Sequence, residues 1–147
     1  MPQKSRYRFE TDPLREQEDG YFLEVPISVH RVSPLFFWRY ALTKKFASEK
    51  HRVFADGIGA GGTSNASLLR MLTRPTKSIV SMDGLRASLL TRALQAGAKR
   101  DPDGNFVVIG HPKAVSPYSL EQLDRFLERL KPDNRVMTFS DYVKAEA

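Results

Sequence analysis

The sequence predicts an α/β fold with a mainly parallel sheet covered by outer helices. Short β-branched and aromatic runs alternate with segments of helical period, and turn-forming residues separate them. A chain of 147 residues with 41% hydrophobic content can also bury one core, so residues 1–147 read as a single domain. Strand followed by helix, repeated, is the order that parallel strands with crossover helices require. On that basis the strands near Val53, Ile79 and Val108 are expected to be parallel neighbours or near neighbours, with the helices around Leu89 and Leu123 packed outside them.

Residues 1–20 are charged and turn-rich, with Asp12-Pro13 and Asp19-Gly20, and read as an irregular arm. Tyr21 to Val29 is the first strand candidate, although Pro26 lacks a ladder donor and implies an edge or a bulge. Ser33-Pro34 gives an N-cap and a first-turn proline, and a helix follows from Leu35 into Lys44-Lys45-Phe46. Its aromatic cluster is assigned to the core. Arg52 to Ala55 is a short strand, Asn65 to Leu72 a short helix, and Ser78 to Met82 another strand. Asp83 can cap a helix from Leu85 to Ala96 that Gly97 would end. Asp101-Pro102-Asp103-Gly104 makes a turn before the apolar run Phe106 to Ile109. A last long helix begins near Ser119, where Ser119 and Gln122 fit a capping box and Leu120, Leu123, Phe126, Leu127 and Leu130 repeat at helical period. A strand-like Val136-Met137-Thr138-Phe139 closes the chain.

Lys and Arg outnumber Asp and Glu by 23 to 17, a net charge of +6 that permits contact with anionic polymers. The basic pairs lie among acidic and apolar neighbours, which fits a solvated surface better than a nucleic-acid groove. Without cysteine there is neither a disulfide nor thiolate chemistry. No apolar run follows the basic residues after Met1, so the chain shows no signal peptide, and no segment reaches the roughly 20 apolar residues of a membrane span. A soluble chain without membrane contact is expected.

Several residues could carry chemistry. His111 lies at the carboxyl end of the run Phe106 to Ile109, where parallel α/β folds place active-site side chains, and Pro112 biases it toward extended backbone. The same pattern also suits a histidine that only satisfies loop backbone groups. Gly57 to Gly62 contains Gly-x-Gly-x-x-Gly, and Asp83 follows it about 20 residues on, as in a dinucleotide-binding fingerprint. Against that stand the fifty residues before the loop and the early interruption by Arg74-Pro75; a plain Gly/Ser/Thr-rich connection is the other reading. Asp56, also at a strand end, could orient His111 or could form a turn. His30 reads as structural and His51 as solvated. Ser64, Ser67 and Ser116 lack a nucleophile-elbow context, and no two ligands have a metal-binding spacing.

The block Ile109-Gly110-His111, with the helix near Ser119 and the closing Thr138-Phe139, resembles the last conserved block of the NodB-type polysaccharide deacetylases. Gly20 to Ser28, with Glu24-Val25-Pro26, is similar to a mid-domain strand in some branches of that group. The resemblance covers most of residues 20–142, and its specific part is the block around His111. It implies a deformed (β/α) barrel of which this chain is the C-terminal portion. It implies metal-dependent hydrolysis of acetamide groups on N-acetylated carbohydrate with a zinc-like divalent metal, His111 protonating the departing amine and Ile109 lining the acetyl-methyl pocket. The family's Thr-Phe-Asp-Asp-Gly and His-x-x-x-His blocks have no counterpart here. The metal ligands and catalytic base are therefore expected from a missing N-terminal half or from another chain, a degenerate relative being the third reading, and the chain is expected to be inactive alone. A Rossmann-like dinucleotide protein using Gly57 to Gly62, or a noncatalytic basic binding module, are the alternatives.

Overall fold

The structure, a computed structural model, describes residues 5–46, 48–55, 64–132 and 134–146. The elements run β1 (Tyr7–Phe9), β2 (Phe22–Glu24), β3 (Val29–Val32), α1 (Pro34–Lys45), α2 (Asn65–Thr73), β4 (Thr76–Ile79), α3 (Leu90–Ala98), α4 (Pro117–Glu128) and α5 (Phe139–Glu146). Short 3-10 turns cover Glu49–His51, Gly84–Leu89 and Pro112–Ala114. The strands form two separate two-stranded antiparallel sheets, β1–β2 and β3–β4. The expected mainly parallel sheet and the (β/α) barrel are therefore overturned.

Local chemistry explains the correction. The predicted strand Tyr21 to Val29 divides into β2 and β3 on either side of Pro26, which offers no amide to a ladder. β2 turns back on β1, with Arg8 opposite Leu23, while β3 pairs with β4 from Val29 opposite Ile79 to Val32 opposite Thr76. The segment at Val53 is no strand; the Phe54 amide donates to the Val115 carbonyl at 2.9 Å. Beyond β4 the chain stays extended, and Ser81 makes an isolated parallel bridge to Ile109. The Ile109 amide donates to Val80 and the Met82 amide to Ile109. The ladder goes no further back because the Val107 amide donates to the Ser28 hydroxyl at 2.9 Å instead of to a backbone carbonyl. One bridge is thus what remains of the parallel arrangement.

The helices follow their caps more closely. Ser33 and Pro34 start α1 as expected, and the Ser64 hydroxyl accepts from the Ser67 amide at the start of α2. The capping box of α4 lies three residues earlier than Ser119 and Gln122 suggested. Ser116 is the N-cap, Pro117 takes the first turn, and the Ser116 and Ser119 side chains each accept the other's backbone amide. Residues 84–89 wind as a 3-10 turn before α3, and Gly97 falls inside the last turn of α3 rather than ending it. Val136 to Thr138 is irregular and Phe139 opens a helix, not a strand. Among the described residues no helix is long and apolar enough to cross a membrane.

Two apolar clusters hold these elements. Val80, Ala87, Leu90, Ala93 and Phe126 form the larger, with Met82, Phe106, Val108 and Leu123 packed against it. Helices α3 and α4 thus close over the extended pair of segments around Val80 and Val108. Val32, Phe36 and Leu85 form the smaller cluster, flanked by Phe37, Leu89 and Tyr118. This packing places the carboxyl ends of the two extended segments together.

His30 lies on the inner face of β3, 7% exposed, and neither ring nitrogen has a hydrogen-bond partner among the described residues. Burial, then the nearby charges of Arg92, Arg86 and Arg100, push its pKa below 6.5. In that state the unfolded chain binds the proton more readily than the folded one, so this contribution to stability is complete above pH 6.5 and falls as pH drops below it. His30→Leu is expected to remove that acid sensitivity and to raise stability by about 1 kcal/mol, since it eliminates a buried polar group without a protein partner. Urea unfolding of both proteins at pH 7.5 and 5.5 tests this, the gap between them being predicted to widen at the lower pH.

Candidate functional site

The parallel bridge fixes the site. Asp83 and His111 each stand two residues beyond a bridging residue, Ser81 on one segment and Ile109 on the other. Side chains two residues apart on an extended backbone share a face, so the register brings these two groups side by side. The His111 amide donates to Asp83 Oδ1 at 2.8 Å, and His111 Nδ1 lies 2.7 Å from Asp83 Oδ2. Both carboxylate oxygens therefore engage one residue, its backbone and its ring.

The turn on either side supports this contact. Gly84 follows Asp83 with φ of +45°, a left-handed conformation that glycine adopts at low cost, and it turns the chain sharply away from the site. Gly110 precedes His111 and lets the Met82 side chain lie across the backbone; a Cβ there would stand 2.6 Å from Met82 Sδ. The Asp83 amide donates to the hydroxyl of Ser81, which is buried, so the carboxylate's own backbone is anchored as well.

Burial raises the Asp83 pKa, but the His111 amide, the His111 ring and the Ser81 hydroxyl together outweigh it and hold the carboxyl below its ordinary 3.8. The Asp83 side chain is 17% exposed and that of His111 49%. An ionised carboxylate at Nδ1 selects the tautomer that carries its proton there. That leaves Nε2, which has no hydrogen-bond partner among the described residues, as the unprotonated nitrogen of a half-exposed neutral ring. The arrangement can accept a proton at Nε2, hold the resulting imidazolium against a carboxylate, and give the proton back.

The remaining predicted residues take other places. Ile109 uses its backbone for the bridge and its half-buried side chain lies on the same extended face as His111. Asp56 and Gly57 to Gly62 lie outside the described residues. Asp83, singled out for a ribose, has both oxygens on His111 instead. His30 is in β3, and His51 lies against Tyr118 with ring centroids 4.4 Å apart and the rings tilted, so it is packed rather than merely solvated. Lys50 beside it pairs with Glu121, whose carboxyl is held below its ordinary value chiefly by that lysine, with Arg125 adding to it. Ser64 and Ser116 cap helices, and Ser67 receives the hydroxyl of Ser64.

Among the described residues no three His, Asp or Glu side chains gather where a metal ion could be held. The Asp83 carboxylate and His111 Nδ1 are spent on each other, and two donors do not make a cage. The described residues thus do not fit the divalent metal that the sequence resemblance implies. Comparison with protein families, curated proteins and solved structures finds no match for this chain.

Two outcomes test this geometry. Gly110→Ala forces the flexible Met82 side chain aside and is expected to lower stability by about 1 kcal/mol, the low end of the range for overpacking, measured by chemical unfolding. The depressed Asp83 pKa gives stability that is present above pH 3.8 and lost as pH falls through the lower folded value. Asp83→Asn is expected to flatten that part of the acid unfolding curve; an unchanged acid limb would show that the carboxylate is not stabilised as described.

Proposed function

We propose that His111, oriented by Asp83, is the proton-transfer centre of a hydrolase acting on acetamide groups of N-acetylated carbohydrate. The observation that supports this reading is the 2.7 Å contact between His111 Nδ1 and Asp83 Oδ2, which leaves Nε2 of a half-exposed ring for a substrate. Collapse of the tetrahedral species formed on an amide carbonyl breaks the C–N bond and places charge on the departing nitrogen. An imidazolium at His111 donates its Nε2 proton to that nitrogen, and the Asp83 carboxylate stabilises the imidazolium before the transfer. Ile109, on the same face, would meet the acyl methyl group. Activation of the attacking water falls to groups outside the described residues, since neither a base nor a ligand cluster accompanies His111 there.

The dinucleotide reading has less support. Its acid, Asp83, is engaged at both oxygens by His111, and a ribose would have to displace a charge-assisted contact to reach it.

The isolated chain, with or without added zinc, is expected to release no acetate from N-acetylglucosamine oligomers. Joined to a metal-binding N-terminal half of the deacetylase kind, it is expected to release acetate, and His111→Ala is expected to lower turnover about 10²–10⁴-fold, the usual share of a positioned general acid. Asp83→Asn is expected to lower it as well. Robust turnover by the isolated chain, or full activity of His111→Ala in the joined protein, would contradict the proposal.

A further inference from the structure

The net charge of the chain is unevenly placed. Residues 31–77 hold nine Lys and Arg against two Asp and Glu, a net charge of +7, so the other hundred residues together carry −1. This basic region contains α1 and α2, and the two helices expose apolar side chains among the cations. Leu35, Trp38, Leu42 and Phe46 follow one stripe of α1 and are 78%, 52%, 56% and 73% exposed, while Phe36 on the other side is buried. Helix α2 has no buried residue, and its Leu68 and Leu69 are exposed. The Trp38 indole N–H donates to the Leu72 carbonyl at 3.1 Å, satisfying one of the free carbonyls at the end of α2 and fixing the two helices together. A helix that is apolar on opposite sides is built to be buried on both. Here one side is covered.

The complementary surface is on the same molecule. The loop joining β1 to β2 holds five acidic residues between Glu10 and Asp19 against the single cation Arg15, and every residue from Glu10 to Asp19 is exposed. Apolar groups accompany the acids in sequence: Leu14 is almost fully exposed within the loop, and Tyr21 and Phe22 at its end are exposed with their rings edge to face. The loop is preformed. The Gln17 amide donates to the Arg8 carbonyl at 2.9 Å, and the Tyr7 hydroxyl donates to the Pro13 carbonyl at 2.9 Å. Among the described residues the β1–β2 pair packs extensively on no other helix or strand.

We propose that the β1–β2 arm of one copy docks on the α1–α2 face of a second copy, with Leu14, Tyr21 and Phe22 against the Leu35–Trp38–Leu42 stripe and the acidic loop against Lys44 and Lys45. Apolar contact supplies the attraction, and the opposed charges select this orientation over arm to arm or face to face. The contact is heterologous, so each copy keeps one arm and one face for further copies, and assembly proceeds past the dimer or closes as a ring. Little ordering is needed because the loop is already folded on its own strands.

Sedimentation velocity on the full chain tests this, with emission of the single tryptophan, Trp38, as a second reading. As concentration rises from about 1 µM to about 500 µM at low salt, the weight-average mass is expected to at least double and the emission to move to shorter wavelength. Raising ionic strength to about 0.5 M should reverse part of both changes. Glu18→Lys with Asp19→Lys should abolish the mass increase, and so should Lys44→Glu with Lys45→Glu. Mixing these two variants should restore it, which misfolded proteins would not do. A monomer across the whole range overturns the proposal, as does self-association that ignores both charge reversals. So does a monomer that instead binds phosphatidylserine vesicles or duplex DNA, since either would show that the basic face serves another occupant.

Discussion

The short segment Val80 to Met82 is hydrogen-bonded to two distant parts of the chain. The Val80 amide donates to the Ser28 carbonyl at 2.7 Å, and the Val80 carbonyl and Met82 amide bind Ile109. Those few bonds connect β3, β4 and the run Phe106 to Ile109 into one layer, although neither sheet has more than two strands. The side chains of Val80, Met82, Phe106 and Val108 on that layer's inner face are what α3 and α4 cover. The alternate face presents Ser81, Asp83, Ile109 and His111. Packing and chemistry are thus divided by the period of two along the same segments.

The division has an electrostatic consequence. Asp83 is mostly buried, where a lone carboxylate would be driven to take up a proton, but the His111 amide and ring and the Ser81 hydroxyl keep it ionised. Its charge is then available to fix the tautomer of the ring and to stabilise the protonated form. The serine and the two glycines around the pair serve the same end, through a hydroxyl to the Asp83 amide, a left-handed turn at Gly84, and the close passage of Met82 over Gly110.

Helices α1 and α4 are legible because their signals are local: Ser33-Pro34 starts α1, and the leucine and phenylalanine period marks α4, whereas α5 stands where the closing residues read as a strand. The strands are not legible, because apolar runs such as Phe106 to Ile109 do not state their partners. Whether such a run joins a ladder depended on Ser28, whose hydroxyl takes the Val107 amide from 79 residues away. His111 was found from its place at the end of an apolar run. In sequence Asp83 reads as a helix cap or a ribose ligand, since its pairing with His111 follows from the register of Ser81 on Ile109, which neither local segment reveals. The basic residues read as scattered along the sequence, and only the exposed stripes of α1 and α2 gather those of residues 31–77 on one face.

The proposed chemistry rests on the state of one imidazole. Nitrogen-15 NMR of the His111 ring at neutral to mildly alkaline pH reads it directly, because protonated and unprotonated ring nitrogens resonate far apart. With the Asp83 carboxylate at 2.7 Å, the neutral ring is predicted to carry its proton on Nδ1, and Asp83→Asn is predicted to shift that preference. A neutral ring protonated mainly on Nε2, with a spectrum unaltered in Asp83→Asn, would contradict the pairing on which the proposed chemistry depends.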